Sequence, residues 1–580
     1  MDGRCSLWPT LAIVLGGLAL LVHWAWFSRH GLEFTDEGLY LLASEQPWLN
    51  THSSLFGFGL YPLYRLAGGD LGFFRLSAMV VVLAAGVLLA WAWGCSRGGK
   101  LFRGVGTWVV FGAIISGCLL VFSDGRRTPG YDTLVFVGAV LGWAGYFRLT
   151  GAGADERWPW MLLAIGILVC ALGKWAVALV LTPLWIGLLL ARGQRKPIRW
   201  AIFGSFLVMG AAVLVWWIGG ESLDRSWKEA GFIVREMGTH GTKLIPYYGI
   251  TLVNFVYRVL RAFVYGLPVL LLLVWIRRQR PAWLPILRDQ VAVLVCLIFF
   301  LGIVLGLTKA GFNGFSRVGS NVAAELLWLA CAAGILRGGF FFLREGLFEN
   351  LGLLATPFLL GVGTATALGD YVGHGVVFLQ IVGLGIWAQW IGEGLPFTRA
   401  VPFVALTALF NLARSEFSLR DQFRTLELSS CNTPWKKPDG NTVYLHPDQQ
   451  RMLTALHSGL HQLGFQPGNP VVAIGDLPGA VYLLGGWSPG TSWYFGYNPA
   501  SYRYVEAVLA SVPPEIRRKS FLIFRENSPL YAEKRQEILA LLEQQEPPAA
   551  ILGPLTFEEM TTRLMIWAPK QTGQPVNDRP

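Results

Sequence analysis

The sequence predicts a polytopic α-helical membrane protein that ends in a soluble α/β domain. Three observations carry this. Only 14% of the 580 residues are charged, against about a quarter in a soluble protein, and mean hydropathy is +0.48. The apolar residues fall in long uninterrupted runs, without amphipathic spacing. After about residue 414 those runs shorten and turn residues multiply, as in "NTPWKKPDGN", "QPGNP", "WSPG" and "SVPP". The predicted domains are therefore a membrane domain over 1–413 and an extracytoplasmic α/β domain over 414–580.

The first run, "LWPTLAIVLGGLALLVHWAWF", exceeds the 7–15 residues of a signal-peptide core. It has no small-residue cleavage site after it, so it reads as a retained span. Further runs lie at 72–94, 104–123, 132–149, 159–172, 175–191, 200–220, 251–276, 290–308, 319–336, 350–368, 374–391 and 400–413. They make about 13 spans. The connections "CSRGGKLFR", "ARGQRKPIRW" and "RRQRPAWLPILRDQ" are basic and alternate with the others. By the positive-inside rule they are cytoplasmic. That places the N-terminus inside, and an odd span count places the C-terminal domain outside. Within that domain "PVVAIGD" reads as a buried strand and "LPGAVYLLGG" as a turn and short helix. "KSFLIFREN" reads as a second strand and "SPLYAEKRQEILALLEQQ" as an amphipathic helix.

The net charge of +11 needs no nucleic-acid partner, because cytoplasmic loops of membrane proteins collect basic residues. The seven cysteines are scattered, without metal-ligand spacing or a disulfide framework.

Chemistry-bearing residues collect on the predicted outer face. The first outer loop carries the adjacent carboxylates Asp36 and Glu37, then "SLFGFGLYPLYRLAGG", which suits a helix in the interface plane. The second, "SDGRRTPGYD", supplies Asp124, Arg126, Arg127 and Tyr131. Lys174 stands alone between two apolar runs, where an ammonium needs a partner or a polar cavity. Later outer loops add Arg317 and, within "GDYVGHG", Asp370 and His374. Cations at headgroup depth suit a phosphate. A carboxylate beside them suits a general base for an attacking hydroxyl. The plain alternatives are a solvated acidic pair, snorkelling arginines and incidental histidines.

An N-terminal span followed by "DEGLYLL", the "TPGYD" loop after the third span and the segment "ALGKWAVALVLTPLW" together resemble the GT-C glycosyltransferases. The likeness is to the branch holding protein O-mannosyltransferases and the lipid A aminoarabinose transferase, glycosyltransferase family 39-like. It covers the first two hundred residues. It implies transfer of a sugar from a polyprenyl-phosphate donor to a hydroxyl-bearing envelope acceptor, with membrane lipids around it and inversion at the sugar carbon. It also implies Asp36 as base or metal ligand with Glu37 as its partner, a divalent metal there being left open. Lys174 becomes a donor-phosphate contact, with Arg126, Arg127 and Arg317 as companions. Gly38 departs from the branch, which tends to have Ala and then Arg, and neither "GDYVGHG" nor "GDLPGAVYLLGG" has a counterpart. Two rivals remain. A lipid-linked sugar transporter or flippase would need midplane charges and repeats, and a non-catalytic envelope-assembly protein would work through its outer domain.

Overall fold

The computed structural model describes residues 7–48, 54–96, 106–122, 127–151, 157–193, 246–257, 346–363, 368, 371, 373–392, 411, 428–475, 477–494, 501–557 and 560–569. The N-terminal part of these is helical. The helices are α1 (Leu7–Phe27), α2 (Asp36–Glu45), α3 (Phe56–Leu66), α4 (Leu71–Ser96), α5 (Gly106–Cys118), α6 (Tyr131–Thr150), α7 (Trp158–Gly173), α8 (Trp175–Ala191), α9 (Leu347–Leu359) and α10 (Val376–Gly392), and 246–257 is helical too.

Two of the described helices, α4 and α6, are long and apolar enough to cross a membrane. The 21-residue α1 counts for this only over Ile13–Phe27, and the remaining apolar helices have 10–17 residues. At 1.5 Å per residue, the 16-residue α7 reaches about 24 Å, less than a hydrocarbon core of about 30 Å. The predicted runs at 200–220, 290–308 and 319–336, and most of 400–413, lie outside the described residues. A count of about 13 spans is therefore not established. The predicted boundary at 413/414 lies outside them as well.

The helical core is aromatic and closely packed. Trp24, Trp93, Trp143 and Trp185 are fully buried. The Trp143 indole N–H donates to Thr356 Oγ1 at 3.0 Å, which ties α6 to α9. α7 and α8 are separated by Lys174 alone, whose extended backbone (φ −146°, ψ 105°) interrupts the helix.

The C-terminal part is α/β, as its turn-rich sequence predicts. Strands β1 (Thr433–Lys436) and β2 (Thr442–Leu445) form an antiparallel pair. Strands β3 (Val471–Ile474), β4 (Phe521–Arg525), β5 (Ala550–Phe557) and β6 (Met560–Trp567) form a mixed sheet ordered β3-β4-β6-β5. β3 and β4 are parallel and buried along their length, and apart from Arg525 both are apolar. The helices here are α11 (Pro447–Gln462), α12 (Pro478–Leu483), α13 (Ser501–Ser511), α14 (Pro514–Lys519) and α15 (Pro529–Leu541).

This part shares one hydrophobic core with the first predicted outer loop. Leu32, Phe34, Leu39 and Phe56 pack in the same cluster as Leu453, Leu477, Ile523 and Ile566. The chain leaving α1 runs beside β2: the Gly31 N–H donates to the Tyr444 carbonyl at 2.6 Å, and the Tyr444 N–H to the Arg29 carbonyl at 2.9 Å. α12 meets the start of α2 almost backbone to backbone. The Gly479 N–H donates to the Phe34 carbonyl at 2.7 Å, and a Cβ on Gly38 would sit 2.1 Å from the Gly479 nitrogen. Gly38 and Gly479 are thus each other's partners.

Candidate active site

Glu37, in the first turn of α2, is fully buried and forms an equally buried ion pair with Arg75 of α4 at 2.9 Å. Four donors meet its two oxygens. Oε2 accepts from Arg75 and from the Glu33 N–H (3.0 Å). Oε1 accepts from the N–H groups of Arg127 (3.0 Å) and Thr128 (2.8 Å). Burial pushes this carboxyl up. Arg75, then Arg127, then the backbone N–H groups outweigh it, so it is held below the ordinary carboxylate range.

Arg75 completes this clasp. Its guanidinium donates to the carbonyls of Ser28 (3.0 Å), His30 (3.2 Å) and Gly31 (3.0 Å) and to Thr128 Oγ1 (3.1 Å). Arg127 is also buried. Its side chain donates to the Phe27 carbonyl at 2.7 Å and to that of His30. Two guanidinium groups and one carboxylate thereby fasten the end of α1, the start of α2 and the segment before α6.

Asp36 opens α2 and is half-buried, beside this clasp. Tyr40 lies one turn on, so Asp36 and Tyr40 share a helix face. The Tyr40 ring meets the Tyr131 ring edge-on at 5.4 Å. Gly130 permits this approach, since a Cβ there would lie 2.5 Å from the Tyr40 ring. The Lys174 ammonium in turn sits over the Tyr131 ring at 4.8 Å.

Lys174 is 6% exposed. It forms an ion pair with Asp132, donates to the Tyr371 hydroxyl at 2.9 Å and lies over the Tyr371 ring at 4.5 Å. His374 adjoins that ring at 5.4 Å. The helix break places this side chain: the Lys174 carbonyl accepts from the Val177 and Ala178 N–H groups of α8 (3.0 and 3.3 Å), and the Lys174 N–H donates to the Cys170 carbonyl of α7 (2.7 Å). The partner or polar cavity that an isolated ammonium requires is thus Asp132 with two tyrosines.

The structure therefore brings together Lys174, Tyr131 and His374, joins them through Tyr40 to the helix that Asp36 opens, and gathers Glu37 with Arg127. Asp124, Arg126, Arg317 and Asp370 lie outside the described residues. Sequence reasoning missed Arg75, Asp132, Tyr371 and Glu33. A charge inside the apolar run "GFFRLSAMVVV" was a usable signal for Arg75. Nothing local separated Asp132 or Tyr371 from ordinary loop residues.

Glu37 is not placed to ligate a divalent metal. Both Glu37 oxygens already accept two N–H groups each, which leaves no lone pair directed at a cation.

No protein-family model matches the chain, and no curated protein matches it. Among solved structures, the crystal structure of ArnT from Cupriavidus metallidurans bound to undecaprenyl phosphate is similar. It is 13% identical over 97% of this chain and 100% of that chain, with a TM-score of 0.42.

Proposed function

We infer that the protein is an integral-membrane glycosyltransferase, moving a sugar from a polyprenyl-phosphate donor to a hydroxyl acceptor at the outer membrane face. One observation carries the reading. A half-buried carboxylate stands one helical turn before Tyr40, the Tyr40 ring meets that of Tyr131, and a buried ammonium lies over the Tyr131 ring. The motif resemblance places the same two residues, Asp36 and Lys174, at the acceptor and donor ends of such a reaction.

In this reading the acceptor oxygen attacks the anomeric carbon as its proton passes to Asp36. The carbon–oxygen bond to the lipid phosphate breaks, and the phosphate leaves with the electron pair. It needs cations, not an acid, and inversion follows from a single displacement. Lys174 is the proposed phosphate contact, with Arg126 and Arg317 as further candidates. Glu37 and Arg127 serve as the frame that fixes the start of α2.

The test is Asp36→Asn, carried in a strain deleted for this chain. Transfer, followed by mass spectrometry of envelope glycans and glycoproteins, should fall by about 10²–10⁴-fold, the worth of a general base. Membrane abundance should stay near the parent's, since Asp36 is not part of the buried clasp. Product formation equal to the parent's removes Asp36 from the mechanism. A transporter would instead keep its flux when Asp36 is neutralised.

A further inference from the structure

We propose that Glu33 is a positioning residue for Asp36: its buried carboxyl fixes the first turn of α2 and sets the charge that faces the base. This rests on the glycosyltransferase reading and adds a regulation of that same site by external pH.

The geometry is local and specific. Glu33 is 1% exposed and lies three residues before Asp36. One of its oxygens accepts the Thr35 N–H at 2.9 Å and is bonded to the Thr35 hydroxyl. The other accepts the Glu37 N–H at 3.0 Å. Its own N–H returns to Glu37 Oε2. Thr35, the residue that flanks the start of α2, makes no capping bond itself. Glu33 does that work from two residues further back, holding the N–H groups on either side of Asp36.

Among the described residues no cation is paired with this carboxyl. Arg75 and Arg127, from α4 and the segment before α6, are bonded to Glu37 and to main-chain carbonyls. His30, at the end of α1, is held below its ordinary value, chiefly by burial and then by Arg127. Gln449 of α11 reaches this segment as a neutral amide, donating to the Leu32 carbonyl. The charged group facing Glu33 is Asp36. Burial first, and the Asp36 charge second, push Glu33 up to about 8 against its hydrogen bonds.

The consequence has a definite sign. Below pH 8 Glu33 holds a proton and Asp36 faces a neutral group. As pH rises through about 8 that proton leaves, and the added negative charge raises the proton affinity of Asp36. Asp36 becomes a stronger base for the acceptor's proton, and transfer speeds up. The two carboxyls titrate as a pair.

The experiment uses the full chain in nanodiscs and in membranes. A pH-difference infrared spectrum should show a protonated carboxyl lost with a midpoint near pH 8. That signal should vanish in Glu33→Gln and persist in Glu33→Asp. Thr35→Val removes a hydrogen bond that favours the charged form, so it should move the midpoint up by about half to one pH unit. Envelope product made by Glu33→Gln should fall by about tenfold at equal abundance and lose its rise between external pH 7 and 9. The proposal is overturned if the parent lacks the signal, if Glu33→Gln retains it, or if Glu33→Gln makes product with the parent's pH dependence. If Glu33→Gln does not fold, Thr35→Val decides, and an unmoved midpoint overturns the proposal. Asp36→Asn at parental activity would instead sink the glycosyltransferase reading and leave the infrared result standing.

Discussion

Replacing Glu37 by Gln removes the charge on which four donors converge and leaves the buried Arg75 uncompensated. Breaking a buried pair from one side costs about 3–5 kcal/mol, so Glu37→Gln should lower the melting temperature in detergent and the folded yield. Glu37→Gln combined with Arg75→Met should recover part of the loss, since no lone charge remains. Because Glu37 is held below its ordinary value, its contribution is complete at neutral pH. It is lost only as pH falls through that depressed folded value. An unchanged melting temperature in Glu37→Gln would remove the clasp. Lys174 calls for a different readout. Its ammonium already faces Asp132 and two tyrosines, so a phosphate must share it. A charge-assisted contact contributes about 1.5–3 kcal/mol, and Lys174→Met should weaken use of a polyprenyl-phosphate sugar by about ten- to a hundredfold. The change should appear mainly as raised KM. An unaltered dependence on donor concentration would make Lys174 a structural residue.

Among the elements, α2 and α12 depend on each other through two glycines. Gly38→Ala would drive a Cβ into the Gly479 backbone, where no flexible side chain can move aside. Overpacking of this kind costs about 1–3 kcal/mol or more. The lesion should loosen the C-terminal part from α2 and raise protease sensitivity near residue 479 before the membrane helices are affected. Parental protease resistance in Gly38→Ala would show that the contact is not required. The sequence announces some of these elements and hides others for physical reasons. Long apolar runs become the helices α1, α4, α6 and α8, and of these α4 and α6 are long and apolar enough to cross a membrane. Lys174 as a break between two runs was readable from the same pattern. "PVVAIGD", "KSFLIFREN" and "SPLYAEKRQEILALLEQQ" become β3, β4 and α15, as their local patterns predict. The Gly38–Gly479 contact joins positions far apart in the chain, and no local pattern encodes it. The Glu37–Arg75 clasp is half readable: the acidic pair stands out, whereas its arginine is hidden in an apolar run. The convergence of Asp132 and Tyr371 on Lys174 depends on how α6, α8 and the segment before α10 pack, which no single segment reports.

At the scale of the whole molecule α4, α6 and α8 have a common polarity. α4 starts beside the clasp, with Arg75 in its first turns, and ends at Ser96, where "CSRGGKLFR" begins. α8 starts beside Lys174 and ends at Ala191, where "ARGQRKPIRW" begins. α6 starts at Tyr131 of the site and ends near Arg148, whose guanidinium lies 4.7 Å from the Trp91 ring and 5.1 Å from that of Trp158. A cation held between tryptophans suits a membrane interface. The site thus occupies the helix ends opposite the basic connections. The C-terminal strands share a core with Leu32, Phe34 and Leu39 at those same ends, so the site and the C-terminal part lie on one side of the bilayer whatever that side is. Positive connections stay in the cytoplasm, and on that rule we propose that the site and the C-terminal part face outside. A phosphatase fused after Pro580 should therefore be active, and a reporter that needs the cytoplasm should be silent at the same position. A cysteine placed between Arg97 and Arg103 should react only with reagents that enter the cell. If the fusion after Pro580 worked only in the cytoplasm, the shared core would carry Asp36 and Lys174 inside with it. The donor would then have to be taken from the inner leaflet.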